Sequence, residues 1–157
     1  MKFSAQEEFG LRCLIQVAKH NANGGVTIQF ISEAERLTVP NVAKLLRILR
    51  MGNFVESTRG QVGGYALARP ANKILIGEVL ETLGGRLFES GFCDDHSGIE
   101  KICTHTTDCS VRSLWRKIQS AVDQALLNMT LEDLLSVEPV NPFMQLNEIQ
   151  YNSGTVA

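Results

Sequence analysis

No stretch of 18 consecutive apolar residues occurs in the 157-residue sequence, so no transmembrane helix is expected. The first ten residues, MKFSAQEEFG, place acidic side chains where a secretory signal needs its apolar stretch, and a cytoplasmic protein is the expectation. In that reducing compartment, four cysteines point to metal binding or redox sensing before structural disulfides. The short C-x2–4-C pair of most structural zinc sites is missing, and so are the close-spaced cysteine runs of ferredoxins. No Ser-His-Asp or Cys-His set stands at a recognisable spacing, which leaves no basis for expecting an enzyme.

The apolar content, 44%, is enough for a real core in one domain, or in a small domain with an accessory region. A formal charge of −2 hides an asymmetry. Residues 1–80 carry ten Lys and Arg against six Asp and Glu, whereas residues 81–157 carry five against eleven. Between Arg36 and Arg69 the count is six basic to one acidic. That balance fits a nucleic-acid footprint confined to one end of the molecule, and equally fits ordinary solvated surface. The acidic residues of the second half read as a solvated face rather than as paired catalytic carboxylates.

Ser4-Ala5-Gln6-Glu7 reads as a capping box that opens a helix to about His20, with Phe9, Leu14, Val17 and Ala18 on its buried stripe. Cys13 lies within that apolar pattern and reads as a small core residue. After a turn at Asn23-Gly24-Gly25, a second helix is expected from Ile28 to Glu35, then a tight turn at Arg36-Leu37-Thr38. Thr38 can cap a third helix over Asn41–Met51, with Pro40 in its first turn and Gly52 at its end. This helix buries Val42, Leu45, Leu46 and Leu49 and turns Asn41, Lys44 and Arg47 outward. Two short helices on a tight turn, the second with a basic polar face, describe a helix-turn-helix; a plain helical hairpin has the same pattern.

Phe54–Thr58 and Tyr65–Ala68 then read as two strands around Arg59-Gly60-Gln61-Val62-Gly63-Gly64. A hairpin directly after a recognition helix is a wing, with Arg59 at its tip within reach of a minor groove or a phosphate. The Lys-Ser/Thr and the strand-to-helix context of a P-loop are absent, so the glycine-rich turn is not read as a nucleotide site.

A helix from about Ile76 to Leu83 buries Val79, Leu80 and Leu83 and stops at Gly84-Gly85. Cys93–Cys109, CDDHSGIEKICTHTTDC, follows with three cysteines at C-x9-C-x5-C and no hydrophobic periodicity. A segment of that composition cannot pack a core by itself, and thiolates bound to a metal centre would hold it in place. From Ser110 the apolar pattern resumes through Leu114, Ile118, Val122, Ala125 and Met129, with Trp115 and Ala121 beside them. The resulting helix is roughly 30 Å long at 1.5 Å per residue. So small a domain cannot cover that stripe, and pairing with a second copy is the simplest cover. Thr130-Leu131-Glu132-Asp133 opens a short last helix through Leu135, and from Pro139 the periodicity is lost. The expected fold class is mainly α with a small β-hairpin wing. It divides into a winged helix-turn-helix over residues 1–70, a cysteine loop and long dimerisation helix over 71–137, and a mobile tail over 138–157.

These segments carry a family likeness. STRGQVGGYALARP, IGEVLETL, the cysteine loop, SLW and MTLEDLL, in that order within about residues 1–137, resemble the Rrf-two family of winged-helix regulators. Cluster-bearing members hold an iron–sulfur cluster through three loop cysteines, which the resemblance puts at Cys93, Cys103 and Cys109. The first cysteine spacing is longer here than in some members, which lengthens the loop without removing a ligand. Some members add a histidine three residues after the last cysteine; Arg112 stands there, and a guanidinium cannot serve. Others take an aspartate from the partner subunit, near the start of its first helix, and Glu8 occupies the matching place. The resemblance therefore implies Glu8 in trans as fourth ligand, with Glu7, His96 and His105 in reserve. A subgroup pairs that glutamate with histidines at the places of Arg12 and Glu33, a pattern this sequence lacks. The 4Fe–4S form is favoured over 2Fe–2S on likeness alone.

The function implied is an iron–sulfur-dependent, sequence-specific DNA-binding transcription regulator that senses redox state, nitric oxide, or iron and cluster status. As a homodimer it would read a near-palindromic double-stranded operator. Thr38, Asn41, Lys44 and Arg47 would face the major groove, with Arg59, Gly60 and Gln61 at the flanking minor groove or backbone. Two alternatives stay open. One is structural zinc, with His96 and His105 at hand; the other is a cluster-free regulator that senses through thiol oxidation or a protein partner.

Overall fold

The computed structural model describes residues 4–58, 63–88, 91–95, 97 and 109–136. The wing-tip residues Arg59, Gly60 and Gln61, together with His96, Cys103, His105 and the tail from 138, lie outside them. The head begins with α1 (Ala5–Lys19), α2 (Ile28–Glu35) and α3 (Val39–Met51), followed by the strands β1 (Val55–Thr58) and β2 (Gly64–Leu67). Then come α4 (Ile76–Gly84), α5 (Phe92–Asp95), α6 (Ser110–Leu126) and α7 (Leu131–Ser136). The result is mainly α with a small hairpin, as expected.

The capping box forms as the sequence implies. The Ser4 hydroxyl accepts from the Glu7 amide at 3.2 Å, and the Ser4 amide donates to the Glu7 carboxylate at 2.7 Å. Cys13, Leu14 and Val17 of α1 are fully buried, while Phe9 and Ala18 sit at the rim of the same core. Three hydrogen bonds pin the end of α2 to α1. Arg12 Nε reaches the Glu35 carboxylate at 2.7 Å, an Arg12 terminal nitrogen donates to the Glu35 carbonyl at 3.1 Å, and Gln16 donates to the Glu35 carboxylate at 2.5 Å. Arg36, in the left-handed region at φ 53°, ends α2 and turns the chain into α3.

Helix α3 starts at Val39, two residues before the expected Asn41. Thr38 has extended N-cap backbone, and a proline early in the first turn costs no helical hydrogen bond. The Thr38 side chain makes no capping hydrogen bond, so the cap is one of backbone geometry alone. Val42, Leu45, Leu46 and Leu49 are buried as read from their spacing. They share one core with Ile31, Phe54, Ile74, Ile76, Val79, Leu83 and Leu131, so α4 and α7 close the head from below. Each fully buried leucine or isoleucine contributes roughly 1.5–3 kcal/mol of transfer free energy.

The two strands pair antiparallel, Val55 opposite Leu67 and Thr58 opposite Gly64, with β2 one residue earlier than expected. An isolated hairpin is only marginally stable in water, and this one is docked by a third partner. Val26 exchanges backbone hydrogen bonds with Tyr65 at 2.8 and 2.9 Å, and the Asn21 side chain accepts from the Leu67 amide at 2.9 Å. Two glycines make that approach possible. Gly25 sits at φ +106°, and a Cβ on it would lie 2.8 Å from the Tyr65 oxygen; a Cβ on Gly64 would lie 2.8 Å from the Val26 oxygen.

Helix α6 runs for 17 residues and ends three short of the expected Met129, because the chain turns at Leu127-Asn128. A second backbone exchange ties its far end to the head: Ile76 donates to the Met129 carbonyl and Leu131 to the Ile74 carbonyl, each at 2.9 Å. Thr130 then caps α7 reciprocally with Asp133, whose carboxyl is held below the usual range by the Thr130 amide and hydroxyl. Along α6 itself only Gln119 is buried, and Val111 and Leu114 are 57% and 52% exposed. No described helix is long and apolar enough to cross a membrane.

Replacing Gly64 by alanine forces its new methyl onto the Val26 carbonyl, and the docked hairpin has to shift. Urea unfolding of Gly64→Ala is expected to show a loss of about 1–3 kcal/mol; an unchanged midpoint would contradict the docking role of the Val26–Tyr65 bridge.

Candidate DNA-binding face and cysteine site

Helix α3 presents a cationic face on the side opposite its buried stripe. Lys44, Arg47 and Arg50 are exposed, as are Thr38 and Pro40 before them, and Asn41 is half-buried on the flank. None of the cations Arg36, Lys44, Arg47 and Arg50 makes an ion pair among the described residues. By contrast Arg69 is occupied: it lies over the Phe54 ring at 5.2 Å and bonds Glu78 at 2.6 Å. Unpaired cations on one helix face are what phosphate contact requires. The three-residue spacing of Asn41, Lys44 and Arg47 continues to Arg50, which the sequence reading stopped short of. An exposed helix after a tight turn from α2, followed by a hairpin, defines a winged helix-turn-helix.

The second site lies where the 91–95 segment meets the start of α6. Cys93 is carried by α5, a single turn that the loop composition did not reveal. It is seated by aromatic contacts, Phe88 to Phe92 at 5.2 Å and Phe92 to Trp115 at 6.2 Å between ring centres. The four-residue spacing of Phe88 and Phe92 is the one sequence signal that could have shown it. The Gln119 side chain accepts from the Phe88 amide at 3.0 Å, and Arg86 bonds Asp123. The approach to Cys93 is therefore fastened to α6 at two points.

Cys109 is the N-cap of α6, its sulfur accepting from the Arg112 amide at 3.3 Å. Cys93 and Cys109 line one cavity of about 140 Å³ with Phe88, Phe92, Val111, Arg112 and Trp115. Neither is in a disulfide. Two thiols converging on one apolar cleft, one of them at a helix N-terminus with amide donors for a charged sulfur, suit a thiolate-bound metal centre. No three His, Cys, Asp or Glu side chains gather into a metal site among the described residues, and Cys103 lies outside them.

Glu8 stands in the first turn of α1, exposed, and its carboxylate makes no hydrogen bond or ion pair among the described residues. Its neighbour Glu7 is engaged in the capping box and lies over Gly84, where a Cβ would strike its carboxyl. The fourth cysteine, Cys13, belongs to the core. Burial, then the Glu35 carboxylate, push its thiol up to about 12 against the pull of Arg12.

The comparisons agree with this fold. The model of the family described as "Rrf2: Iron-dependent Transcriptional regulator" matches residues 3–137, and the chain belongs to that family. It is 30% identical over 135 residues to the protein rrf2 of Nitratidesulfovibrio vulgaris, across 86% of this chain and 87% of that one. To the HTH-type transcriptional regulator IscR of Pectobacterium carotovorum it is 27% identical, across 89% of this chain and 82% of the other. The solved structure of CymR, the global cysteine regulator of B. subtilis, superposes with a TM-score of 0.68 at 29% identity, over 87% of this chain and 97% of CymR. T. potens IscR gives 0.68 at 28%, over 86% of each chain. The protein is a transcriptional regulator that binds DNA through a winged helix, and it is not an enzyme.

The cysteines should differ sharply in reactivity. With the chain reduced and chelated, iodoacetamide at pH 8 is expected to modify Cys93 and Cys109 while Cys13 stays unmodified until the chain unfolds. Equal rates would contradict the burial of Cys13. Its raised thiol also sets a sign for stability. Below pH 9.0, the ordinary value, the thiol is protonated in both states and contributes no pH dependence; from there towards 12 the unfolded chain ionises first and stability falls.

Proposed function

We propose that the protein is an iron–sulfur-dependent, sequence-specific transcription regulator that acts as a cytoplasmic homodimer. The observation that carries this reading is the convergence of Cys93 and Cys109, from two separate helices, on one cleft at the base of α6. Cys103 of the same loop and, in trans, Glu8 of the partner subunit complete the proposed ligand set. When bound, the cluster supplies a metal centre that reacts with oxidants or nitric oxide and responds to iron supply. The 4Fe–4S form is the one proposed, on family likeness.

The chain's own residues turn that site into a switch. Glu8 is on α1, and α1 holds the end of α2 through Arg12, Gln16 and Glu35, so a pull on Glu8 is transmitted to the helix-turn-helix. Cys93 and Cys109 are fastened to α6 through Gln119 and the α6 cap. A bond from Glu8 to the partner's cysteine site therefore links one head to the other subunit's long helix. Its loss changes the spacing of the two heads, which gives the signal a differential contact between states. On the DNA, Thr38, Asn41, Lys44 and Arg47 take the major groove, and Arg59, Gly60 and Gln61 take the flanking minor groove or backbone.

A second reading has its own observation. The likeness to CymR, a global cysteine regulator, at 29% identity favours a cluster-free regulator that uses the same thiols directly or with zinc. Protein purified without oxygen separates the two. Broad absorbance at about 400–450 nm with matching iron and sulfide, abolished in Cys93→Ser, is the expected result. A chain that stays colourless after reconstitution with iron and sulfide contradicts the cluster and leaves the thiol reading.

A further inference from the structure

We propose that Val39 is a specificity residue that reads the methyl group of thymine in the operator's major groove. The first turn of α3 is unlike the rest of the helix. Val39 is 42% exposed, Pro40 is exposed beside it, and Ala43 follows one turn on. Val39, Pro40 and Ala43 offer no side-chain hydrogen-bonding group, whereas Thr38 and Asn41 flank them and Lys44, Arg47 and Arg50 line the helix further along. A lone exposed valine means little, since much protein surface is apolar. Its setting decides the matter.

The buried stripe of α3 is Val42, Leu45, Leu46 and Leu49, so Val39 is not needed for the core. It stands at the first position of the helix, on the end that recognition helices insert towards base edges. The cations along the same helix draw it onto the DNA and so press this tip into the groove. The Val39 side chain cannot answer the donors and acceptors of base edges. The one apolar feature that the major groove displays is the C5-methyl of thymine. The polar neighbours Thr38 and Asn41 then read the adjoining positions, and Val39 sets a preference for an A·T pair in one orientation.

The inference rests on α3 being the recognition helix, and the test separates the two claims. The full chain, purified without oxygen, selects its preferred duplex from a random library. Each thymine is then replaced singly by deoxyuridine, which lacks only the methyl, and affinities are measured for wild type and Val39→Ala. One position in each half-site is expected to weaken wild-type binding about fourfold, the factor for uncovering one methyl-sized group, and to leave Val39→Ala within twofold. No sensitive thymine, or equal sensitivity in Val39→Ala, overturns the proposal. Lys44→Ala and Arg47→Ala serve as the control. If they bind as wild type does, the recognition-helix reading falls and this inference with it; if they bind weakly while every thymine is silent, the role of Val39 alone is overturned.

Discussion

The burial of one face of α1 is the constraint on which the head depends. Cys13, Leu14 and Val17 are wholly enclosed, and around them pack α2, α3, α4, α7 and the docked hairpin. A tightly packed interior tolerates little displacement, because side chains interdigitate at close to crystal density. Anything that moves α1 must therefore move the helix-turn-helix with it. The Arg12–Glu35–Gln16 clamp sharpens the coupling at the place where α2 turns into α3. Glu8, on the exposed side of the same helix, is where an outside contact could act on this rigid unit.

Helix α6 has the complementary property. It carries a stripe that the described chain leaves open, with Val111 and Leu114 more than half exposed and Leu127 and Met129 beyond its end also in water. In the proposed dimer that stripe is the surface a second copy covers, since apolar area of this kind is rarely left uncovered. The two ends of α6 then have different tasks. Its N-terminus holds Cys109 next to Cys93, and its C-terminal turn is laced to the head by the Leu75–Thr130 bridge. In the proposed dimer, this one helix joins the cysteine cleft, the interface and the head.

Much of this was legible in the sequence because it is local and periodic. The Ser4–Glu7 box, the Val42, Leu45, Leu46 and Leu49 stripe, the span of α2 and the Thr130 cap all follow from spacings of three or four residues. What spacing cannot show is pairing between distant single residues. Val26 meets Tyr65 through two backbone bonds, and Leu75 lies opposite Thr130 through the bonds of their neighbours, Ile76 to Met129 and Leu131 to Ile74; neither segment is long enough to carry an alternating pattern. The start of α3 at Val39 escaped for a related reason, since Thr38 caps through backbone angles rather than a side-chain bond. At the candidate site, Cys93 and Cys109 stood out by their spacing in a loop without hydrophobic periodicity, and family likeness gave them the cluster-ligand role. Their meeting in one cleft, the α5 turn, and the difference between an engaged Glu7 and an open Glu8 required coordinates, whereas Arg50 on the basic face was within reach of the three-residue spacing.

Native mass spectrometry of the full chain, purified without oxygen, tests the central claim most directly. The account predicts a species at twice the 17.3 kDa chain mass that also carries inorganic iron and sulfide. A species at the single-chain mass, or a dimer that takes up no iron and sulfide on reconstitution, would contradict it.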